Sequence, residues 1–228
     1  MKLVRYADTA GAVYYAEACD DGTYLKLAGD FPDFQATEEE VTPQKILAPV
    51  QPPAIYCIGL NYKAHAEEQG SKLPQRPIIF MKAPSALQHP GGPIVLPRQL
   101  RSDKVDYECE LAVVIGKRGK NIPAEAALDY VYGYTAANDV SARDWQMEWG
   151  GRQWVRGKTF DTFCPLGPVI MTLDAFPDPH AVGLRTFLNG ETMQDSNTSD
   201  LIFSVPELIA FVSGSTTLEP GTVILTGT

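Results

Sequence analysis

The chain has 228 residues, 44% of them hydrophobic and 21% charged, which is enough apolar material for one large core with a small N-terminal appendage. A formal net charge of -9 and a pI near 4.8, without any run of Lys and Arg, exclude a nucleic-acid surface, because phosphate binding needs clustered cations. No apolar run approaches the roughly 18 residues of a membrane span, and the first residues lack the apolar core of a secretory signal; cytosol is the default location, with organellar import left open.

Residues 1–50 hold three strand-like pieces, LVRYA, AVYYAEA and TYLKLAG, separated by turn residues such as Asp20, Asp21 and Gly22. A Pro-rich join from Pro49 to Pro53 follows. It predicts a boundary between a small N-terminal strand module (1–50) and the main body (54–228). From Ala54 onward, short apolar runs (AIYCIGL, PIIFMK, PIVLP, ELAVVIG, PVIM, LRTFLNG) alternate with Gly and Pro. That pattern predicts a mainly β body with few helices, an α+β fold whose core is sheet.

One helix is predicted over Asp139–Trp149, with Ser141 as its N-cap. A second follows Ser204, where Ser-Val-Pro-Glu ahead of LIAFV reads as a capping box with Pro in the first turn. Asn189-Gly190 between TFL and ETM predicts a tight hairpin, since both residues tolerate positive φ. The four cysteines, Cys19, Cys57, Cys109 and Cys164, are widely spaced and form no CxxC pair; they read as buried free thiols in a reducing compartment.

Three carboxylates stand out. In DYECELAVVIG the apolar tail predicts a strand, so Glu108 and Glu110 project to one face with backbones roughly 6.6 Å apart. A lone pair of this kind reads as a solvated strand face. Asp139, however, ends the apolar-aromatic stretch YVYGYTAA, where an unpaired carboxylate would be costly. A cation shared by the three would remove both the cost and the repulsion. Oxygen donors without His or Cys select a hard ion, Mg²⁺ or Mn²⁺. The site would then be near -1, with Arg143 and Lys158 available for a substrate carboxylate.

His65 and Glu68 are three residues apart and share a face if this stretch is helical, so the carboxylate can orient the imidazole as a general base. An exposed ion pair is the alternative. Lys158 alone reads as a surface lysine in a Gly loop. His89 and His180 read as loop residues, and Trp145, Trp149 and Trp154 as core or dimer contacts rather than a substrate platform. Gly70, Gly150 and Gly151 are candidate hinges for a lid.

In order along the chain, GLNYKAHAEE, DYECELAVVIGKRGKNI, GYTAANDVSARDWQ, GKTFDTFCPLGP and VILTGT resemble the fumarylacetoacetate hydrolase family from about Ile55 onward. GGRQWVRGKTFDTFCPLGP and SNTSDLIFSVPELIAFVS resemble, within it, the branch called fumarylacetoacetate hydrolase domain-containing protein 2. The resemblance implies a twisted, mostly β roll that forms homodimers and holds Mg²⁺ or Mn²⁺ through Glu108, Glu110 and Asp139. It implies a catalytic lid carrying His65 and Glu68, a catalytic Lys158, and substrate contacts at Arg143, Gln146 and Thr228.

The implied activity runs through a metal-stabilised enolate of a small oxo acid or β-dicarbonyl. Carbon-carbon hydrolysis of the acylpyruvate or fumarylacetoacetate type stands first. Oxaloacetate tautomerisation, decarboxylation and hydroxymuconate-type isomerisation are the alternatives. A silent relative that only binds metal and metabolite is the alternative of another class. Family members continue past LTGTP with a Gly-Val-Gly turn and a further strand pair, so the resemblance also implies a domain extending beyond Thr228.

Overall fold

The computed structural model describes residues 1–176 and 178–228. The N-terminal alternation of apolar and polar residues forms an antiparallel meander of β1 (Lys2–Ala7), β2 (Val13–Ala18), β3 (Tyr24–Asp30) and β4 (Asp33–Glu40). The short β5 (Lys45–Leu47) pairs with the far end of β1. Beyond the proline join, β6 (Ile55–Gly59) and β7 (Ile78–Lys82) pair antiparallel, with α1 (Lys63–Glu68) between them in sequence. There follow β8 (Leu87–Gln88), β9 (Val105–Asp106), β10 (Cys109–Ile115), β11 (Val131–Asn138), β12 (Ser141–Ala142), α2 (Val155–Lys158), β13 (Cys164–Pro165) and β14 (Ile170–Thr172). The hairpin of β15 (Gly183–Leu188) and β16 (Glu191–Asn197), α3 (Val205–Ser213) and β17 (Val223–Leu225) complete the order.

Among the described residues, one curled eleven-stranded sheet runs β4-β3-β2-β1-β14-β11-β10-β17-β6-β7, with β5 beside β1. Its ladders are antiparallel except for the parallel pair of β17 and β6. The N-terminal meander is continuous with the main sheet through Lys2 opposite Met171 and Leu3 opposite Ile170.

The unbroken apolar run of β10 follows from burial on both faces. Ala112 and Val114 join one core with Ile55, Cys57, Val223 and Leu225. Leu111, Val113 and Ile115 face the other, where α3 packs Val205, Leu208, Ile209 and Val212. The capping box of α3 is present: Glu207 Oε2 accepts from the Ser204 amide at 2.7 Å and its hydroxyl at 2.6 Å. His180 Nε2 accepts from the Val205 amide at 3.1 Å. Ser204→Ala is expected to cost about 1 kcal/mol, which lowers the Tm by roughly 2–4 °C in a chain of this size; a thermal melt checks it.

Asn189 and Gly190 take φ of 53° and 86°, as the tight hairpin between β15 and β16 requires. The expected Asp139–Trp149 helix is corrected. Ser141 and Ala142 are strand residues paired with β9, and a π-helical turn starts only at Asp144, running to Trp149 after Arg143. Ser141 is therefore no cap; its hydroxyl donates to the Asp139 carbonyl at 2.9 Å. The competing partner was β9, which offers those two residues a ladder.

PIVLP is likewise no strand but an extended segment with Ile94, Val95 and Leu96 exposed. The prolines at its ends have no N–H for a ladder, and the Val95 amide donates to Thr162 Oγ1 instead, at 2.8 Å. All four cysteines are free, Cys57 and Cys164 buried, whereas Cys19 and Cys109 are half-buried. For the last two, the expectation of burial was too strong.

Candidate metal and substrate site

The start of β10 is tied to the end of β11. The Glu108 amide donates to Asn138 Oδ1 at 3.0 Å, and the Asp139 amide to the Glu108 carbonyl at 2.8 Å. Glu110 sits opposite Ala137 in the same ladder. Strand alternation turns Glu108 and Glu110 to one side, and Asp139 meets them: one oxygen from each lies within 4.8 Å of the others. Their exposures are 9%, 1% and 0%.

Glu110 Oε2 accepts from the Gly227 amide at 2.6 Å. Gly227 has φ +97°, and a Cβ there would meet Asn61 Cβ at 2.8 Å, so only glycine brings this amide to the carboxylate.

Three cations answer the acids. Lys158 Nζ donates to Glu108 Oε2 at 2.6 Å and Asp139 Oδ2 at 2.9 Å. Arg143 Nη2 lies 2.6 Å from Glu108 Oε1 and 2.9 Å from Asp106 Oδ2, while its Nη1 donates to Gln146 Oε1 at 2.9 Å. Lys82, fully buried, donates to Asp139 Oδ1 at 2.5 Å and to the Val140 carbonyl at 2.9 Å.

Burial works against the charge of Asp139, Lys158, Arg143 and Glu110. At Asp139 the Lys82 and Lys158 ammoniums outweigh burial and hold the carboxyl below its ordinary value. At Lys158 the Asp139 and Glu108 carboxylates outweigh burial and hold the ammonium above its own. At Glu110 burial, then the charges of Asp139 and Glu108, outweigh Lys158 and the Gly227 amide and push its carboxyl well above the ordinary range.

The donor set fits a hard divalent cation, with three carboxylates and neither nitrogen nor sulfur. Glu110 is the member whose ionised form such an ion would relieve.

Above the triad opens a cavity of about 500 Å³ whose lining includes His65, Glu68, Glu108, Arg143, Gln146, Lys158 and Thr228. The structure thus brings seven of the nine site residues named from the sequence to one cavity; Glu110 and Asp139 are not in its lining but meet the lining residue Glu108 within 4.8 Å. On α1, His65 Nδ1 is 3.2 Å from Glu68 Oε2, and its Nε2 is 2.8 Å from Gln69 Nε2. The α1 amide of Ala64 donates to Asp200 Oδ2 at 2.9 Å, fixing the start of the helix. The Thr228 hydroxyl donates to the Cys109 carbonyl at 2.8 Å and accepts from Gln194 Nε2 at 2.9 Å.

Two expectations change here. Trp154 lines the cavity rather than lying wholly in the core: it meets Phe80 edge-on at 5.4 Å between ring centres and packs against Gly59. Gly150 is a packing residue, since a Cβ would meet the Trp145 carbonyl at 2.2 Å. Gly70 and Gly151, by contrast, have φ of 61° and 60° in open space.

Sequence reasoning missed Lys82, Asp106, Gln69, Gln194 and Gly227. For Lys82 the available signal was its place in PIIFMK, two residues after Phe80 and hence on the same strand face.

A curled sheet with few helices thus carries buried acidic donors beside a polar cavity. The chain belongs to the fumarylacetoacetate hydrolase family: the family model described as Fumarylacetoacetate (FAA) hydrolase C-terminal matches residues 54–228. Among curated relatives, the oxaloacetate tautomerase fahd2, mitochondrial, of Xenopus laevis is 53% identical over 184 residues, covering 80% of this chain and 57% of that protein. The human oxaloacetate tautomerase FAHD2A, mitochondrial, is 52% identical over 183 residues, covering 80% and 58%. The chain therefore spans less than two thirds of the length of these relatives.

Among solved structures, the 5-carboxymethyl-2-hydroxymuconate delta-isomerase from Mycobacterium smegmatis is 39% identical with a TM-score of 0.88, covering 100% of this chain and 88% of that one. The fumarylacetoacetate hydrolase from Exiguobacterium antarcticum is 36% identical with a TM-score of 0.85, covering 100% and 86%.

Proposed function

We propose that the chain is a Mg²⁺- or Mn²⁺-dependent enzyme that forms the enolate of a small oxo acid, with keto-enol isomerisation of an oxo dicarboxylate such as oxaloacetate as the leading outcome. The observation that carries this reading is the convergence of Glu108, Glu110 and Asp139 within 4.8 Å under a cavity bearing Arg143 and Lys158. The names of the relatives support the substrate class. They support an organellar location as well.

Glu108, Glu110 and Asp139 would hold the ion, which would supply Lewis acidity to the oxygens of an oxo acid. Arg143, braced by Asp106 and Gln146, presents its guanidinium to a substrate carboxylate. Lys158 donates to developing negative charge from 1% exposure, where a charge-assisted hydrogen bond is little screened. Asp106, Glu108, Glu110 and Asp139 outnumber Lys82, Lys158 and Arg143 by one, so a divalent ion turns the net sign of the site positive and favours a dianion.

A second reading, carbon-carbon hydrolysis of acylpyruvates or fumarylacetoacetate, has its own support in the His65–Glu68 contact at the cavity. Enolisation needs stabilised charge and an acceptor for the α-proton, which solvent in the cavity can be; cleavage also needs a water activated to attack carbon, the role proposed for His65. The homodimer is supported by the edge strand β7, which exposes Ile78, Ile79 and Met81.

The test is turnover of oxaloacetate, acylpyruvates and fumarylacetoacetate with Mg²⁺, Mn²⁺ or chelator, by the wild type and His65→Ala. The expected result is chelator-sensitive enolisation that survives His65→Ala, and hydrolysis that does not. Full activity in chelator removes the metal, and no reaction with any substrate leaves the silent relative.

A further inference from the structure

Each carboxylate of the triad has a donor on one oxygen, and Lys158 holds the second oxygens of Glu108 and Asp139 as well, Oε2 at 2.6 Å and Oδ2 at 2.9 Å. Arg143 lies 2.6 Å from Glu108 Oε1, the Gly227 amide donates to Glu110 Oε2 at 2.6 Å, and Lys82 donates to Asp139 Oδ1 at 2.5 Å. Arg143 lines the cavity and is about a third exposed, so its contact can be exchanged with substrate. Lys158 lines the cavity too, so its hold on Glu108 Oε2 and Asp139 Oδ2 can likewise be exchanged for an entering ion. Lys82 does neither: it is fully buried, stands outside the cavity lining, and has its ammonium fixed a second time by the Val140 carbonyl at 2.9 Å.

An ammonium so placed cannot touch a substrate, nor swing aside to release Oδ1. Resting on the reading that the triad holds a divalent ion, we propose that Lys82 is a positioning residue that leaves Asp139 only Oδ2, the oxygen Lys158 can yield, to offer, and so biases the site towards small six-coordinate ions and against calcium.

The reasoning is one of coordination number. Ca²⁺ takes six to eight oxygens and often gathers them through two-oxygen carboxylate contacts. Mg²⁺ is smaller, keeps a near-octahedral shell and fills it with single carboxylate oxygens and water. With Oδ1 committed to Lys82, Asp139 suits the second pattern. Were Oδ1 free, Asp139 could turn both oxygens to a larger ion.

The experiment is calorimetric titration of the chelator-stripped chain with Mg²⁺ and with Ca²⁺, for the wild type, Lys82→Met and Lys82→Gln. Both variants lose the same charge, but Gln keeps an N–H for Oδ1, so their difference separates the hydrogen bond from the charge. The wild type should prefer Mg²⁺. In Lys82→Met the preference should move towards Ca²⁺ by about tenfold or more, the size of effect typical of partners one step behind a ligand. Lys82→Gln should stay near the wild-type ratio.

An unmoved ratio in Lys82→Met, or equal movement in both variants, overturns the proposal. If the Met variant does not fold, a wild type that binds Ca²⁺ as tightly as Mg²⁺ overturns it equally. Absence of saturable binding of either ion by the wild type instead removes the metal reading itself.

Discussion

Asp139→Ala should lower oxo-acid turnover by at least about 100-fold, since replacing even the outer partners of a metal ligand costs roughly 10–100-fold. The same substitution should destabilise the fold. Asp139 is the partner that Lys82 and Lys158 share, both of them essentially unexposed. Removing one side of a buried ion pair costs about 3–5 kcal/mol, so the Tm should fall by on the order of 10 °C.

The pH dependence has a definite sign. The Asp139 carboxyl lies below its ordinary value in the fold; its contribution is therefore complete above about pH 4 and is lost as pH falls through the folded value. Steady-state kinetics and scanning calorimetry check both halves. Unchanged turnover would remove Asp139 from the metal, while an unchanged Tm would remove the ion-pair account.

Gly157→Ala is the second large effect. A Cβ at Gly157 would lie 2.7 Å from the Ala142 carbonyl oxygen, 2.7 Å from the Gln146 amide and 2.8 Å from Gln146 Cβ. Two of those atoms are backbone, so α2 must retreat from β12 and the π-helical turn, and Lys158 is the next residue. Overpacking of this kind costs about 1–3 kcal/mol. A shift of about 1 Å in a positioned catalytic group can lower kcat/KM on the order of 100-fold. Gly183→Ala serves as the control, because a Cβ there meets nothing within 4 Å and its φ is not positive. Equal behaviour of the two variants would refute the packing argument.

What could be read in the sequence was whatever depends on local period or on a single costly burial. Glu108 and Glu110 were legible as one face of a strand, and Asp139 because it ends an apolar stretch. Asn189-Gly190 and the capping box at Ser204 carry their geometry in the residues themselves. Lys82 was legible only as sharing a strand face with Phe80: a lysine closing a strand reads as solvent-facing until the sheet order sets β7 beyond β10, with two strands between, and brings its ammonium to Asp139. The Asp139–Trp149 segment was misread for the same reason, its strand partner Val105–Asp106 lying more than thirty residues upstream. The β15–β16 pairing is local, whereas the slot that β17 takes between β10 and β6 is a property of the whole chain.

That slot has a temporal meaning. β10 pairs with β17 at Ala112 to Val114, and β17 in turn with β6 at Ile55 to Cys57. Until residues 223–225 emerge from the ribosome, those two strands keep unpaired edges facing a gap, a state open to wrong partners. Glu110 waits on the same event, because its amide donor, Gly227, arrives with that strand. Assembly of the acidic centre is thus deferred until residues 223–227 have been made, and chains halted before them carry the carboxylates without the frame that makes them a site.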